Sequence, residues 1–98
     1  MEKQEFKNRI FTELASLAKA MANPFRLQII ELLAQGSRTV EEIANQLNLS
    51  VANASQHLQV LKGANLVSLQ KEGHYAHYRL ANHEIYSVWQ AMRDLGIN

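Results

Sequence analysis

The sequence predicts a mainly α-helical domain carrying one small β-hairpin, in the order helix, helix, helix, helix, hairpin, helix. Three observations predict it. Apolar residues recur at intervals of three and four through most of the chain. That period changes after Asn65, where two short runs rich in Val, Leu and Tyr flank a glycine-bearing turn. Punctuation is sparse, with one proline, Pro24, and four glycines. At 98 residues, with no internal repeat or low-complexity stretch, residues 1–98 read as one domain with one core. A compact chain of that length has a radius of gyration of about 13 Å.

Phe6, Ile10, Leu14, Leu17 and Met21 step by four, four, three and four, which is one face of a first helix. Asn23 and Pro24 restart the chain, since Asn caps and Pro suits the first helical position, where its missing N–H has no intrahelical partner. The second helix runs through Leu27, Ile30 and Leu33, and Gly36 fits its stop. Thr39-Val40-Glu41-Glu42 has the pattern of a capping box, opening a third helix through Val40, Ile43, Ala44 and Leu47. Asn48-Leu49 is a short turn. Ser50 caps a fourth helix that buries Ala54, Leu58 and Leu61 and closes at Asn65. Leu66–Gln70 and Tyr75–Leu80 flank the turn Lys71-Glu72-Gly73-His74. Asn82 caps a last helix with Ile85, Val88, Trp89, Met92 and Leu95 on one face, stopped by Gly96.

Composition bounds the function. Leu, Ile, Val and Phe make up 27 of 98 residues, too many for a disordered chain. A formal charge of +1 neither demands nor excludes a nucleic-acid partner. The absence of cysteine excludes disulfides, thiolate metal sites and thiol redox sensing within the chain. No apolar run exceeds three residues, so the expectation is a cytoplasmic protein with no membrane association and no secretory signal. No phosphate loop, nucleophile elbow or spaced carboxylate pair is present, and an enzyme is not expected.

The informative unit is residues 39–65, two short helices joined by three or four residues. A helix-turn-helix places its second helix in the major groove of DNA. At 100° per residue, Ala52, Asn53, Gln56 and Gln59 point away from the buried residues, and Ser55 sits at the margin. A merely solvated face usually carries Glu–Lys pairs four residues apart. Here no Lys, Arg, Asp or Glu occurs from Leu49 to Leu61. Neutral amides suit base edges, because Asn and Gln can bond adenine in bidentate fashion. Ser50, Val51, Ala52, Asn53, Ser55, Gln56 and Gln59 are therefore the expected contacts to double-stranded DNA. Arg38, Lys62, Lys71 and His74 would supply charge for phosphates. A protein-interaction module is the alternative use of such a face, and no cofactor is expected.

Asn23-Pro24-Phe25-Arg26-Leu27, Thr39 through Leu47, Ser50 through Leu61, and the stretch from Leu66-Val67 through Gly73 to Tyr78 and Leu80 together resemble the ArsR/SmtB-type winged helix-turn-helix repressors. The resemblance covers about residues 10–95, with the hairpin as the wing. Ser50 to Leu61 is most similar to the branch whose DNA-binding domain precedes a rhodanese-like domain. The resemblance implies a repressor that binds a palindromic operator as a homodimer, with the first and last helices across the twofold axis. The two terminal apolar stripes agree, giving Phe6, Ile10, Leu14, Ile85, Trp89 and Met92 as the expected interface. The family's metal patterns fail here. There is no cysteine near Val40–Ala44, and the positions matching the last-helix site hold Asn82, Glu84, Leu95 and Asn98. A metal switch through His83 and Glu84 would need two neighbours that point about 100° apart on a helix. No metal site is expected; control would come from an unknown inducer, a partner or a downstream domain.

Overall fold

A computed structural model describes residues 2–97. Five helices and one hairpin follow in the order α1 (Glu2–Met21), α2 (Pro24–Gln35), α3 (Val40–Leu47), α4 (Val51–Gly63), β1 (Val67–Glu72), β2 (Tyr75–Leu80) and α5 (Glu84–Ile97). The local chemistry sets most of these boundaries. Asn23 Oδ1 accepts from the backbone N–H groups of Phe25 and Arg26, and Pro24 opens α2. Thr39 and Glu42 close a reciprocal capping box over α3. Asn48 takes the left-handed conformation (φ 56°) that ends α3, and Asn65 does the same (φ 61°) just beyond α4.

One cluster of buried side chains joins the elements. Ile29, Ile30, Leu32 and Leu33 of α2 meet Ile43 and Ala44 of α3, Ala54, Leu58 and Leu61 of α4, Leu66 and Val67, Tyr78, and Ile85 of α5. The buried arc of α2 is wider than the stripe of Leu27, Ile30 and Leu33 suggested. Ile29 and Leu32 are enclosed as well, because α2 is contacted by every other helix and by β2. Among the described residues no charged or polar residue is buried.

Three expected boundaries move. The hairpin strands are longer, so Lys71 and Glu72 belong to β1 and the turn shrinks to Gly73-His74, with Gly73 at φ 63°. A two-residue connection suits the twist of the flanking strands, and a positive φ there favours glycine. The last helix does not stop at Gly96 but runs through it to Ile97. A single glycine weakens a helix by about 1 kcal/mol relative to Ala without breaking it. In turn, α4 ends at Gly63, slightly before Asn65.

The first helix is attached at one end. Every residue from Glu2 to Lys19 is exposed, and only Ala20 and Met21 are buried. The chain accordingly measures 49 × 37 × 22 Å with a radius of gyration of 14.9 Å, above the value for a compact chain of its length.

Candidate nucleic-acid interface

The turn between α3 and α4 is built from backbone bonds, with Leu49 N–H donating to the Ala44 carbonyl at 2.9 Å. Ser50 then caps α4, its Oγ accepting from the Asn53 N–H at 3.0 Å. That bond uses one lone pair and leaves the hydroxyl proton free to donate. With Ala54, Leu58 and Leu61 buried beneath it, α4 presents Ala52, Asn53, Gln56 and Gln59 to solvent, while Ser55 is half-buried at the margin. Val51 is exposed at the first turn. One outward residue escaped the sequence reading. Val60 is 44% exposed between the Gln56 and Asn53 directions and is an apolar candidate of the kind that meets a thymine methyl.

The charged flanks differ in freedom. Lys62, Lys71 and His74 are exposed, the last two at the hairpin tip. Arg38 is half-buried, and its Nη1 donates to the Ser37 carbonyl at 2.9 Å. Its backbone forms an isolated bridge to β2, donating to the Tyr78 carbonyl at 3.0 Å and accepting from the Tyr78 N–H at 2.7 Å. A one-residue bridge leaves no periodic signal in the sequence. The wing is thereby fastened to the segment just before α3. Leu66 N–H, donating to the Leu61 carbonyl at 2.9 Å, fastens its other root to α4.

Register decides which wing residues face out. Val67 pairs with Leu80 and Leu69 with Tyr78, on the core side. The opposite face carries the pairs Ser68–Arg79, Gln70–His77 and Glu72–Tyr75. Tyr75 is 67% exposed, and Arg79 Nε approaches Ser68 Oγ at 3.4 Å. Arg79, Gln70 and Tyr75 are candidate contacts that sequence reasoning missed. A one-residue change in turn length exchanges the two faces, so they are readable only once the turn is fixed.

Among the described residues two groups titrate away from their ordinary values. The carboxylate of Glu42 is held low by hydrogen bonds from the Thr39 backbone N–H and then its hydroxyl. His57, half-buried on α4, is pushed down by burial first and by the nearby Arg26 charge second. Among the described residues no group of three or more His, Cys, Asp or Glu side chains is placed to hold a metal ion. Asn98 lies outside the described residues. No helix among them is long and apolar enough to cross a membrane.

The residues expected at a dimer interface divide. Phe6, Ile10, Leu14 and Met92 are exposed, and Phe11, Leu17, Val88 and Leu95 join them. Ile85 is enclosed in its own subunit's core. Trp89 is half-buried, with its indole N–H donating to the Leu27 carbonyl at 2.9 Å, so it docks α5 onto α2. Tyr86 stacks on it with centroids 5.4 Å apart.

A model of the arsR family of bacterial regulatory proteins matches residues 23–68, from the cap of α2 to the first residues of the wing. A solved homodimeric winged helix-turn-helix DNA-binding domain, the 1–100 fragment of Mb0332 from Mycobacterium bovis, superposes with a TM-score of 0.87. It is 37% identical, and the match covers 92% of this chain and 83% of that one. The chain belongs to the ArsR family. Its fold is the winged helix-turn-helix, in which α3 and α4 form the helix-turn-helix and the hairpin forms the wing. The family is one of regulatory proteins, not of enzymes. Among its members, the transcriptional regulator Rv0324 of Mycobacterium tuberculosis is 42% identical over 91 residues, and the repressor SmtB of the same species is 34% identical over 79. These matches cover 90% and 81% of this chain. The chain spans 40% of the length of the first relative and 58% of the second.

Proposed function

We propose that this ArsR-family chain is a sequence-specific transcriptional repressor of the cytoplasm that binds a palindromic operator as a homodimer, with α4 in the major groove. The observation that carries the reading is the outward face of α4. It is a neutral, amide-bearing surface, capped by Ser50 and backed by Ala54, Leu58 and Leu61, on the second helix of a helix-turn-helix. Asn53, Gln56 and Gln59 read base edges, with Ser50, Val51, Ala52 and Ser55 lining the approach. Lys62, Lys71, His74 and Arg38 meet phosphates, Arg38 with the least reach because of its bridge to Tyr78. The repressor SmtB and the homodimeric Mb0332 domain, as relatives, support the direction of control and the dimer. Phe6, Ile10, Leu14 and Met92 face the partner, and Ile85 and Trp89 hold α5 from beneath. The similarity of Ser50–Leu61 to the rhodanese-linked branch supports a place in it, with an inducer or downstream domain as the source of control.

The test is binding to a palindromic duplex taken from the DNA upstream of the gene, across a series of salt concentrations. Affinity should fall linearly with salt on logarithmic axes, and should exceed that for random DNA by about a thousandfold or more. Equal affinity for both duplexes, or none, would overturn the reading in favour of a protein-interaction module. The reading frame that follows residue 98 in the gene decides the branch.

A further inference from the structure

One charged side chain touches three helices. Arg26 lies in the first turn of α2, where Asn23 caps its backbone N–H. Its guanidinium carries only donors. Nε donates to the Ala20 carbonyl at 2.5 Å and Nη2 to the Lys19 carbonyl at 3.3 Å, both in the last turn of α1. Carbonyls there lack intrahelical partners, and the negative end of the helix favours a cation. The remaining arm, Nη1, lies 3.4 Å from His57 Nδ1 on α4. Because a guanidinium cannot accept, this contact requires Nδ1 to be the acceptor, with the ring proton on Nε2. Phe25 flanks the same imidazole, ring centroids 5.8 Å apart.

The helices it joins have different duties. The exposed stripe of α1 is the surface offered to a second copy, while the outward face of α4 is the surface offered to bases. Apart from Ala20 and Met21, nothing in α1 is buried, so its direction is set at its last turn. A helix of this length extends about 30 Å, so a rotation of about 10° at the root moves the far end by about 5 Å. In a symmetric dimer the same rotation changes the distance between two reading helices, which must match half-sites about one helical turn of DNA apart.

We propose that Arg26 is a positioning residue that fixes the angle between α1 and α4, and thereby the half-site spacing that the dimer accepts. The second clause rests on the DNA-binding reading above; the first does not. Because the chain has no cysteine, spin labels can be placed at Asn8→Cys on α1 and Val60→Cys on α4 without removing any native thiol. Dilution into excess unlabelled chain isolates the distance within one subunit. The wild-type distribution should be narrow, and Arg26→Gln should broaden it by about twofold, the swing expected of a helix held at one end. Arg26→Lys, which cannot reach both carbonyls and the imidazole together, should lie between, as should His57→Leu. These milder changes carry the test if Arg26→Gln does not fold. Unchanged widths in the variants that fold would overturn the proposal, whatever their melting temperatures.

Operator duplexes with the half-sites moved apart by one or two base pairs give the second reading. Wild type should lose about tenfold in affinity on them, and Arg26→Gln less than about threefold, with single half-site binding unchanged. Retained discrimination in Arg26→Gln would overturn the role in spacing. A wild type that binds no duplex would sink the repressor reading, while the distance widths would still decide whether Arg26 sets the angle.

Discussion

α1 and α4 are both amphipathic helices, and they differ in whether the apolar face is covered. In α4 the apolar face is enclosed, with Ala54, Leu58 and Leu61 fully or almost fully buried, and the remaining face is neutral and rich in amides. In α1 the apolar face itself remains outside, with Phe6 and Phe11 each more than 60% exposed. The same spacing of three and four thus describes a helix that completes a core and a helix that needs one. Periodicity identifies the apolar face; it does not say whether its cover comes from the same chain.

The largest effect that can break this comparison belongs to the α4 core. Leu58→Ala should destabilise the fold by about 2–5 kcal/mol, because an enclosed leucine leaves a cavity that its neighbours fill only in part. Urea denaturation measures it, and a loss below about 1 kcal/mol would mean that α4 is less tightly seated than its burial indicates. On α1 the corresponding change should act on assembly. Leu14→Glu puts an unpaired charge into the proposed contact and should weaken the dimer by about 3 kcal/mol, roughly two orders of magnitude in dissociation constant. Sedimentation at micromolar concentration checks this, and an unaltered dimer would place the interface elsewhere.

A smaller effect sharpens the account of α4. Gln56→Ala should cost about 1–3 kcal/mol on the operator and little on random DNA, whereas Lys71→Ala should weaken both and reduce the salt slope by about one. Equal losses on both duplexes for Gln56→Ala would reassign it from base reading to positioning. The smallest effect is one of pH. His57 is pushed below the ordinary imidazole value by burial and then by Arg26, so the unfolded chain takes up its proton first. The stability it contributes is complete above about pH 6.5 and is lost as the pH falls from there through the folded-state value. Glu42, held low by Thr39, adds a second loss at more acid pH, as the pH falls through the carboxylate range. Thermal melts of wild type and His57→Leu between pH 7.5 and 5, a window of about one pH unit or more on either side of 6.5, separate the two. A decline equally steep in the variant would remove His57 as its source.

Much of the architecture was legible because local chemistry and tertiary fold agree. The Thr39–Glu42 box, the Ser50 cap and the glycine turn each announce a boundary that forms within a few residues. The outward face of α4 was legible for the same reason, since a helix fixes the direction of every side chain once its buried residues are known. Features that depend on distant partners were not. The enclosure of Ile29 and Leu32 requires elements on several sides of α2, and the docking of Trp89 requires the Leu27 carbonyl. The pairing of Tyr75 with Glu72, Arg79 with Ser68 and His77 with Gln70 depends on a turn shorter by two residues than the sequence suggested. Neighbouring residues bias such features, but only the assembled chain fixes them.

The bridge between Arg38 and Tyr78 has a kinetic consequence. These residues stand before α3 and near the end of the wing, so their pairing closes a loop containing both helices of the helix-turn-helix and the first wing strand. The helices can form from local contacts on the microsecond scale, but this closure must first overcome the entropy of the intervening chain. It therefore belongs among the late events of folding, after α3 and α4 have shortened the loop it must span. The same closure binds the enclosed segment into one cooperative unit. The amides of α4 should exchange with solvent through a shared opening with those of Arg38 and Tyr78, and more slowly than the amides along the exposed length of α1.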